Sequence, residues 1–194
     1  MKKLFYDVET TGLYHWQHVI HQLSGCIEID GEVTDFFDFK IAPDPRAKID
    51  QAALDIAGKT IEQIMAYPPS AQVHAQFLQL LAKHVDKYNK KDKYFLIGYN
   101  NAGFDDNFLS AWFKQNKDDY LFSWFWSSKI DVMVLAGQKL MHQRHEMENF
   151  KLSTVAKALG IAVDESKLHD AEYDILLTRE IYRMVTAPTI AGGG

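Results

Sequence analysis

The stretch Lys3-Leu4-Phe5-Tyr6-Asp7-Val8-Glu9-Thr10-Thr11-Gly12 decides how this chain is to be read. Aromatic and branched residues dominate from Lys3 to Val8, so the segment reads as a short buried strand, and Thr10-Thr11-Gly12 follows as a turn. Alternate side chains of a strand share a face, so Asp7 and Glu9 project together from its end. A strand this apolar belongs at the centre of a sheet. Carboxylates leaving the carboxyl end of such a strand stand where open α/β sheets bind ligands.

Outward from this strand, Val19 to Ile29 and Val33 to Ile41 flank Asp30-Gly31-Glu32, whose Asp-Gly pair is favoured in hairpins, and two antiparallel strands are predicted. After Pro68-Pro69-Ser70, apolar residues recur at spacings of three and four (Val73, Phe77, Leu80, Leu81, Val85), which predicts a helix. Tyr94 to Tyr99 is short, apolar and bounded by Lys90-Lys91-Asp92-Lys93 and Asn100-Asn101, so it reads as another strand, and strand, helix, strand suggests a crossover unit. Further helices are predicted at Phe104 to Gln115, Val132 to Leu140, Leu152 to Leu159 and Ala171 to Val185, with a last strand between Leu121 and Ile130. The pattern is that of an α/β domain with a mixed sheet.

Length and composition agree with one soluble domain: 194 residues suffice for a single well-buried core, and 47% hydrophobic with 24% charged residues is a globular balance. The domain is expected over residues 1–186, with 187–194, ending Ala191-Gly192-Gly193-Gly194, as a flexible tail. No stretch approaches membrane-spanning length, and Asp7 and Glu9 interrupt the apolar run that a signal peptide needs after Met1-Lys2-Lys3. Cys26 is alone, so no internal disulfide can form, and the cytoplasm is the expected setting. A net charge of -5 argues against a broad basic surface for coating nucleic acid, but it does not exclude an enzyme that acts on one, because bound cations can hold a phosphate.

Two more stretches carry chemistry: Asn101-Ala102-Gly103-Phe104-Asp105 and His169-Asp170-Ala171-Glu172-Tyr173-Asp174. Asp105 and Asp106 are neighbours on a predicted helix and point in different directions, so one of them, taken as Asp105, faces the site. Five residues on a regular helix turn a side chain far from its starting face, so His169 and Asp174 cannot both point inward from one helix. Asp170 therefore suits an N-cap, with Asp174 in the first turns and His169 before the helix. Clustered carboxylates repel one another unless cations lie between them. An oxygen-rich set without cysteine suits Mg²⁺ or Mn²⁺ and argues against zinc.

These motifs resemble those of the DEDDh family of 3′ to 5′ exonucleases. The first, Asp-x-Glu, is carried by Asp7 and Glu9; the second, Asn-Ala-x-Phe-Asp, by Asn101 to Asp105; the third, His-x-Ala-x-x-Asp, by His169, Ala171 and Asp174. Lys129-Ile130-Asp131 and the segment from Lys151 to Ile161 also look like the family's. The resemblance implies a ribonuclease H-like fold, a five-stranded mixed sheet with helices on both faces. It implies two ions per site, Asp7 bridging both, Glu9 and Asp174 holding the nucleophile-side ion, and Asp105 supporting the other. It further implies His169 as general base and release of nucleoside 5′-monophosphates from a 3′ end, a single-stranded one being the safest expectation. DNA or RNA stays open, as does a polymerase or other replication or repair partner. A rival reading, an inert nucleic-acid-binding or polymerase-tethering module, would be expected to lose one of the five positions.

Thr10, Thr11, Leu13 and Phe104 lie beside the motif carboxylates and, with Asn101, are candidates to touch the terminal nucleotide, because apolar side chains stack on exposed bases. Asn100 and Ala57-Gly58-Lys59-Thr60 depart from the family's usual His and His-Gly-Ile-Thr, in regions that meet substrate. His15, His18 and His21 recur every third residue without companion ligands, and a metal site there is not expected. Trp112, Phe113, Tyr120, Phe122, Trp124, Phe125 and Trp126 are read as core, and the run from Lys87 to Lys93 as a solvated loop.

Overall fold

Residues Lys2–Thr10 form β1, the middle strand of a five-stranded sheet in the computed structural model, which describes residues 1–168 and 170–188. β2 (Ile20–Ile29) pairs antiparallel with β1, and β3 (Glu32–Lys40) pairs antiparallel with β2. The turn between them is shorter than the predicted loop: Asp30 and Gly31 both take positive φ (51° and 97°), as a two-residue hairpin turn requires. The chain then forms α1 (Gln51–Ala57), α2 (Ile61–Met65) and α3 (Ser70–Ala82) before β4 (Phe95–Gly98), which pairs parallel with β1. After α4 (Asp105–Gln115) and the single turn α5 (Leu121–Trp124), β5 (Ile130–Asp131) pairs parallel with β4, giving the order β3-β2-β1-β4-β5. Helices α6 (Val132–Lys139), α7 (Leu152–Ala158) and α8 (Ala171–Thr186) complete the domain.

Alternation along β1 sorts the core into two. Leu4, Tyr6 and Val8 point to one face and pack with Phe77 and Leu81 of α3 and Phe108 and Trp112 of α4. Phe5 points to the other and packs with Cys26, Ile97, Val132 and Ala136 of α6, and Ile175 and Ile181 of α8. Helices thus cover both faces of the mixed sheet. By the same alternation Asp7 and Glu9 follow Phe5 onto the α8 face, so the carboxylates and the helix bearing Asp174 are brought to one side by the periodicity of a single strand. Gly25 lets β2 approach β1 closely, since a Cβ there would lie 2.3 Å from the Phe5 carbonyl oxygen.

Two local predictions need correction. The segment from Leu121 is not a strand: Leu121–Trp124 is a helical turn whose Leu121 and Trp124 are buried, and only Ile130–Asp131 joins the sheet. Of the aromatic group expected in the core, Trp124 and Phe125 are buried, with Phe125 bridging to Tyr94, while Tyr120 and Phe122 are 69% and 51% exposed, because a single helical turn buries only one of its sides. α1 and α2 were also not predicted. They are seven and five residues long, too short for a periodic apolar face, yet Thr60 and Gln63 form a reciprocal capping box that is visible in sequence. Of the expected tail, residues 189–194 lie outside the described residues.

Candidate active site

Asp7 and Glu9 leave the carboxyl end of β1 into a cleft of about 470 Å³ that is also lined by Asp170, Glu172 and Asp174 at the start of α8. The Asp170 side chain caps α8 by accepting the Tyr173 N–H at 3.0 Å, which puts Asp174 in the first turn as expected. Beneath them lies Asp105, 5% exposed, in the first turn of α4, accepting the Val8 N–H at 3.1 Å. A bond to the backbone between Asp7 and Glu9 locks the second motif onto the first. Asp106 turns away, to the Tyr6 hydroxyl, to Asn101 Nδ2 at 3.4 Å and to Lys129 Nζ at 3.2 Å.

The electrostatics tie these side chains together. Burial, then the charges of Asp105, Glu9 and Asp174, hold the Asp7 carboxyl well above the usual carboxylate range. Asp7 and Glu9 stay open to water on the cleft side, while protein crowds Asp7 from every other side, so burial still dominates its shift. Asp105 is pushed up to about 7, chiefly by burial and further by Asp106 and Glu9, against the pull of the backbone N–H groups it accepts. A site that raises its own acids in this way favours either a proton or a cation on them, and an all-carboxylate donor set suits a hard divalent ion. Among the described residues no three acidic, histidine or cysteine side chains are already closed into a ligand cage. His169 lies outside the described residues.

The second motif is held by a residue outside the five. Asn100 takes φ 60°, and the Asp131 carboxylate at the end of β5 accepts the Asn100 and Ala102 N–H groups at 3.0 and 3.3 Å while capping α6 through the Met133 N–H at 2.9 Å. Asp131 fixes the turn that presents Asp105. From the opposite side, a second opening reaches Asp174, lined by Tyr99, Asn100, Phe150 and Lys151.

The expected substrate contacts separate. Leu13 is 70% exposed. Thr10 and Thr11 are buried, their hydroxyls donating to the carbonyls of Gly12 (2.8 Å) and Lys48 (2.7 Å), so both serve the turn. Asn101 is fully buried, and Phe104 packs on Phe108 with ring centroids 4.9 Å apart. The three spaced histidines disperse: His15 stacks on Trp16 and Phe108, His18 accepts the Tyr14 N–H and stands 3.1 Å from Asp50, and His21 is buried in the sheet.

The sequence reading missed the far wall of the cleft. Ser24 lies opposite Asp7 and Gln22 opposite Glu9 on β2, and on β3 Asp38 and Lys40 lie opposite Ser24 and Gln22. Two rows of polar side chains therefore cross three strands on one face, with Asp38 accepting from Gln22 at 2.8 Å and Ser24 at 2.9 Å. The signal was a run of polar residues in a strand that is buried along nearly its whole length.

A model of the exonuclease family RNase_T matches residues 4–182. The PolC-type DNA polymerase III of Mycoplasmopsis pulmonis is 25% identical over 177 residues, 91% of this chain and 11% of that protein. The ribonuclease T of Hahella chejuensis is 29% identical over 183 residues, 91% of this chain and 79% of that one. Among solved structures, E. coli exonuclease I in complex with a dT13 oligonucleotide superposes with a TM-score of 0.75 at 23% identity, covering 96% of this chain and 41% of that one. That likeness is one of fold, the ribonuclease H-like arrangement. The chain spans about a tenth of the polymerase and two-fifths of exonuclease I.

Proposed function

The chain belongs to the exonuclease family RNase_T, and from that premise we propose that it hydrolyses phosphodiester bonds stepwise from the 3′ end of a nucleic acid, single-stranded DNA for preference, releasing nucleoside 5′-monophosphates. The observation that carries the reading is the convergence of Asp7, Glu9, Asp105 and Asp174 at the carboxyl end of the central strand, each tied electrostatically to Asp7. Asp7, Glu9, Asp105 and Asp174 would hold Mg²⁺ or Mn²⁺, two ions to the site, which when bound neutralise the phosphate and activate a water. His169, adjacent in sequence to the cap residue Asp170, takes the proton of the attacking water, a task suited to a group that titrates near neutrality. Asp105 and the Val8 N–H keep the first and second motifs in register, so that the carboxylates are presented together.

A second reading, trimming of RNA 3′ ends, is supported by the similarity to a ribonuclease T over most of its length. Association with a polymerase or another replication or repair protein is supported by the similarity to one segment of a PolC-type polymerase. The buried lone Cys26 accords with a cytoplasmic setting, and among the described residues no helix is long and apolar enough to cross a membrane.

The test is to incubate the protein with 5′-labelled single-stranded DNA, duplex DNA and RNA, in Mg²⁺, Mn²⁺ or chelator. A ladder shortening from the 3′ end only with metal is expected, strongest on single-stranded DNA. A ladder on RNA alone selects the second reading, and binding without degradation under every condition returns the inert module.

A further inference from the structure

The cleft is electrically lopsided. Among the described residues six carboxylates line it, five of them from the end of β1 and the start of α8, and its two ammonium groups, Lys40 and Lys59, come from elsewhere, Lys40 beside the sixth, Asp38. A strand of nucleic acid carries a phosphate at every nucleotide, and among the described lining residues these ammonium groups are the cations that could meet a phosphate away from the carboxylate end. Lys40 ends the polar row Glu9–Gln22–Lys40, two strand spacings or roughly 10 Å across the sheet from Glu9. Lys59 arrives from the other wall. Gly58 ends α1 in the left-handed conformation at φ 63°, and the chain folds back so that the Lys59 N–H bonds the Leu54 carbonyl at 2.9 Å.

Both ammonium groups are close enough to His21 to add to the effect of burial, which takes its imidazole down to about 4, Lys40 contributing more than Lys59. Lys40 pairs with the half-exposed Asp38 at 3.0 Å, a solvent-screened contact, and Lys59 has no ion pair among the described residues. The same cleft exposes apolar surface: Ile56 is 86% and Phe36 47% exposed, and both line it. Two cations and exposed apolar side chains in one cleft are what a nucleotide's phosphate and base require.

We propose that Lys40 and Lys59 form a subsite for the phosphate upstream of the scissile one, with Ile56 and Phe36 receiving the attached nucleotide, so that the cleft grips the last two phosphodiesters of a strand. This deepens the exonuclease reading and rests on it.

The experiment compares TpT, which has only the scissile phosphodiester, with TpTpT, which adds the upstream one, for the wild-type chain and Lys40→Ala/Lys59→Ala. The ratio of kcat/KM for TpTpT over TpT is expected to fall by roughly threefold or more in the variant, through KM, and Lys59→Arg in place of Lys59→Ala restores part of it. In parallel, anisotropy of a labelled, hydrolysis-resistant phosphorothioate hexathymidylate is measured in Mg²⁺ across a salt series. The slope of log affinity against log salt is expected to shrink by roughly 0.7, the share of one phosphate contact in a single strand. A slope equal to that of the wild type overturns the subsite. If the chain hydrolyses neither substrate the exonuclease reading falls, and the salt slope still decides whether these lysines hold phosphate.

Discussion

Arg179 is expected to control the stability of the domain and the placement of Asp174 together. It leaves α8 five residues after Asp174, donates to Glu28 Oε2 at 2.7 Å through Nε and to the Gly31 carbonyl at 2.8 Å through Nη2, and so ties α8 to β2 and its turn. Glu28 is 2% exposed and takes Lys3 Nζ at 2.6 Å on its other oxygen. Burial works against its charge, but Lys3 and Arg179 outweigh it and hold the carboxyl below its ordinary range. Removing one member of a buried, hydrogen-bonded charge set costs about 3–5 kcal/mol, because the remaining groups stay buried without their partner. Arg179→Ala should cost about 3 kcal/mol, the low end, since Lys3 still faces Glu28 and the Arg179 side chain is 14% exposed. For a chain of this size that lowers Tm by roughly 6–12 °C. A depressed carboxyl contributes stability above its unfolded pKa that is lost as pH falls, so the wild type should lose more of its margin on acidification than the variant, in which Lys3 alone still lowers Glu28. The assay is urea unfolding with Glu28→Gln and the double variant to close the cycle. A coupling below about 0.5 kcal/mol, or an Arg179→Ala loss below about 1 kcal/mol, would show a screened surface contact and refute the reasoning.

Asp7→Ala should abolish hydrolysis, and His169→Ala should lower kcat by roughly 10² to 10⁴, both read from single-turnover rates; unchanged turnover in either variant removes that residue's role. For the metal-free protein, Asp105 has a folded pKa of about 7, above its unfolded value, so the fold binds the extra proton and stability falls as pH rises between the two values. Asp105→Asn should accordingly raise the melting temperature in chelator at pH 7 while destroying activity, and a lower melting temperature would contradict the crowding inferred here. Asp131→Ala removes the cap of α6 and two bonds to the Asn100–Ala102 turn, at a cost of roughly 2–3 kcal/mol. Its kcat should fall more than its KM changes, and equal effects on both would place Asp131 in binding.

Much of the site was legible because its signals are local. Asp-x-Glu on an apolar strand states its own geometry, and the distance from His169 to Asp174 demands a helix start between them, which Asp170 supplies. That one of Asp105 and Asp106 would face the site needed only the rotation between helix neighbours, while taking Asp105 rested on the motif; the structure shows what occupies the other, a buried network with Tyr6 and Lys129 that holds α4 to β1. What the Thr10 and Thr11 hydroxyls bond in the fold was not legible, since a hydroxyl beside a motif carboxylate serves equally a ligand or the turn; in the structure they donate to the carbonyls of Gly12 and Lys48.

By itself, then, the sequence determined the central strand, the hairpin and the long helices, since each follows from periodicity within a dozen residues, while the set of carboxylates expected to meet was what the family resemblance implied. The tertiary structure alone decided what faces them. The hairpin turn sets Ile29 against Glu32 and Glu28 against Val33, a register that would place Phe37 opposite Ser24; an irregularity between Ile27 and Glu28 shifts it by one, so Asp38 and Lys40 complete the polar rows and Phe37 enters the core. A one-residue slip exchanges the two faces of a strand. Where that slip falls depends on the packing of both faces at once, which no local stretch of residues encodes.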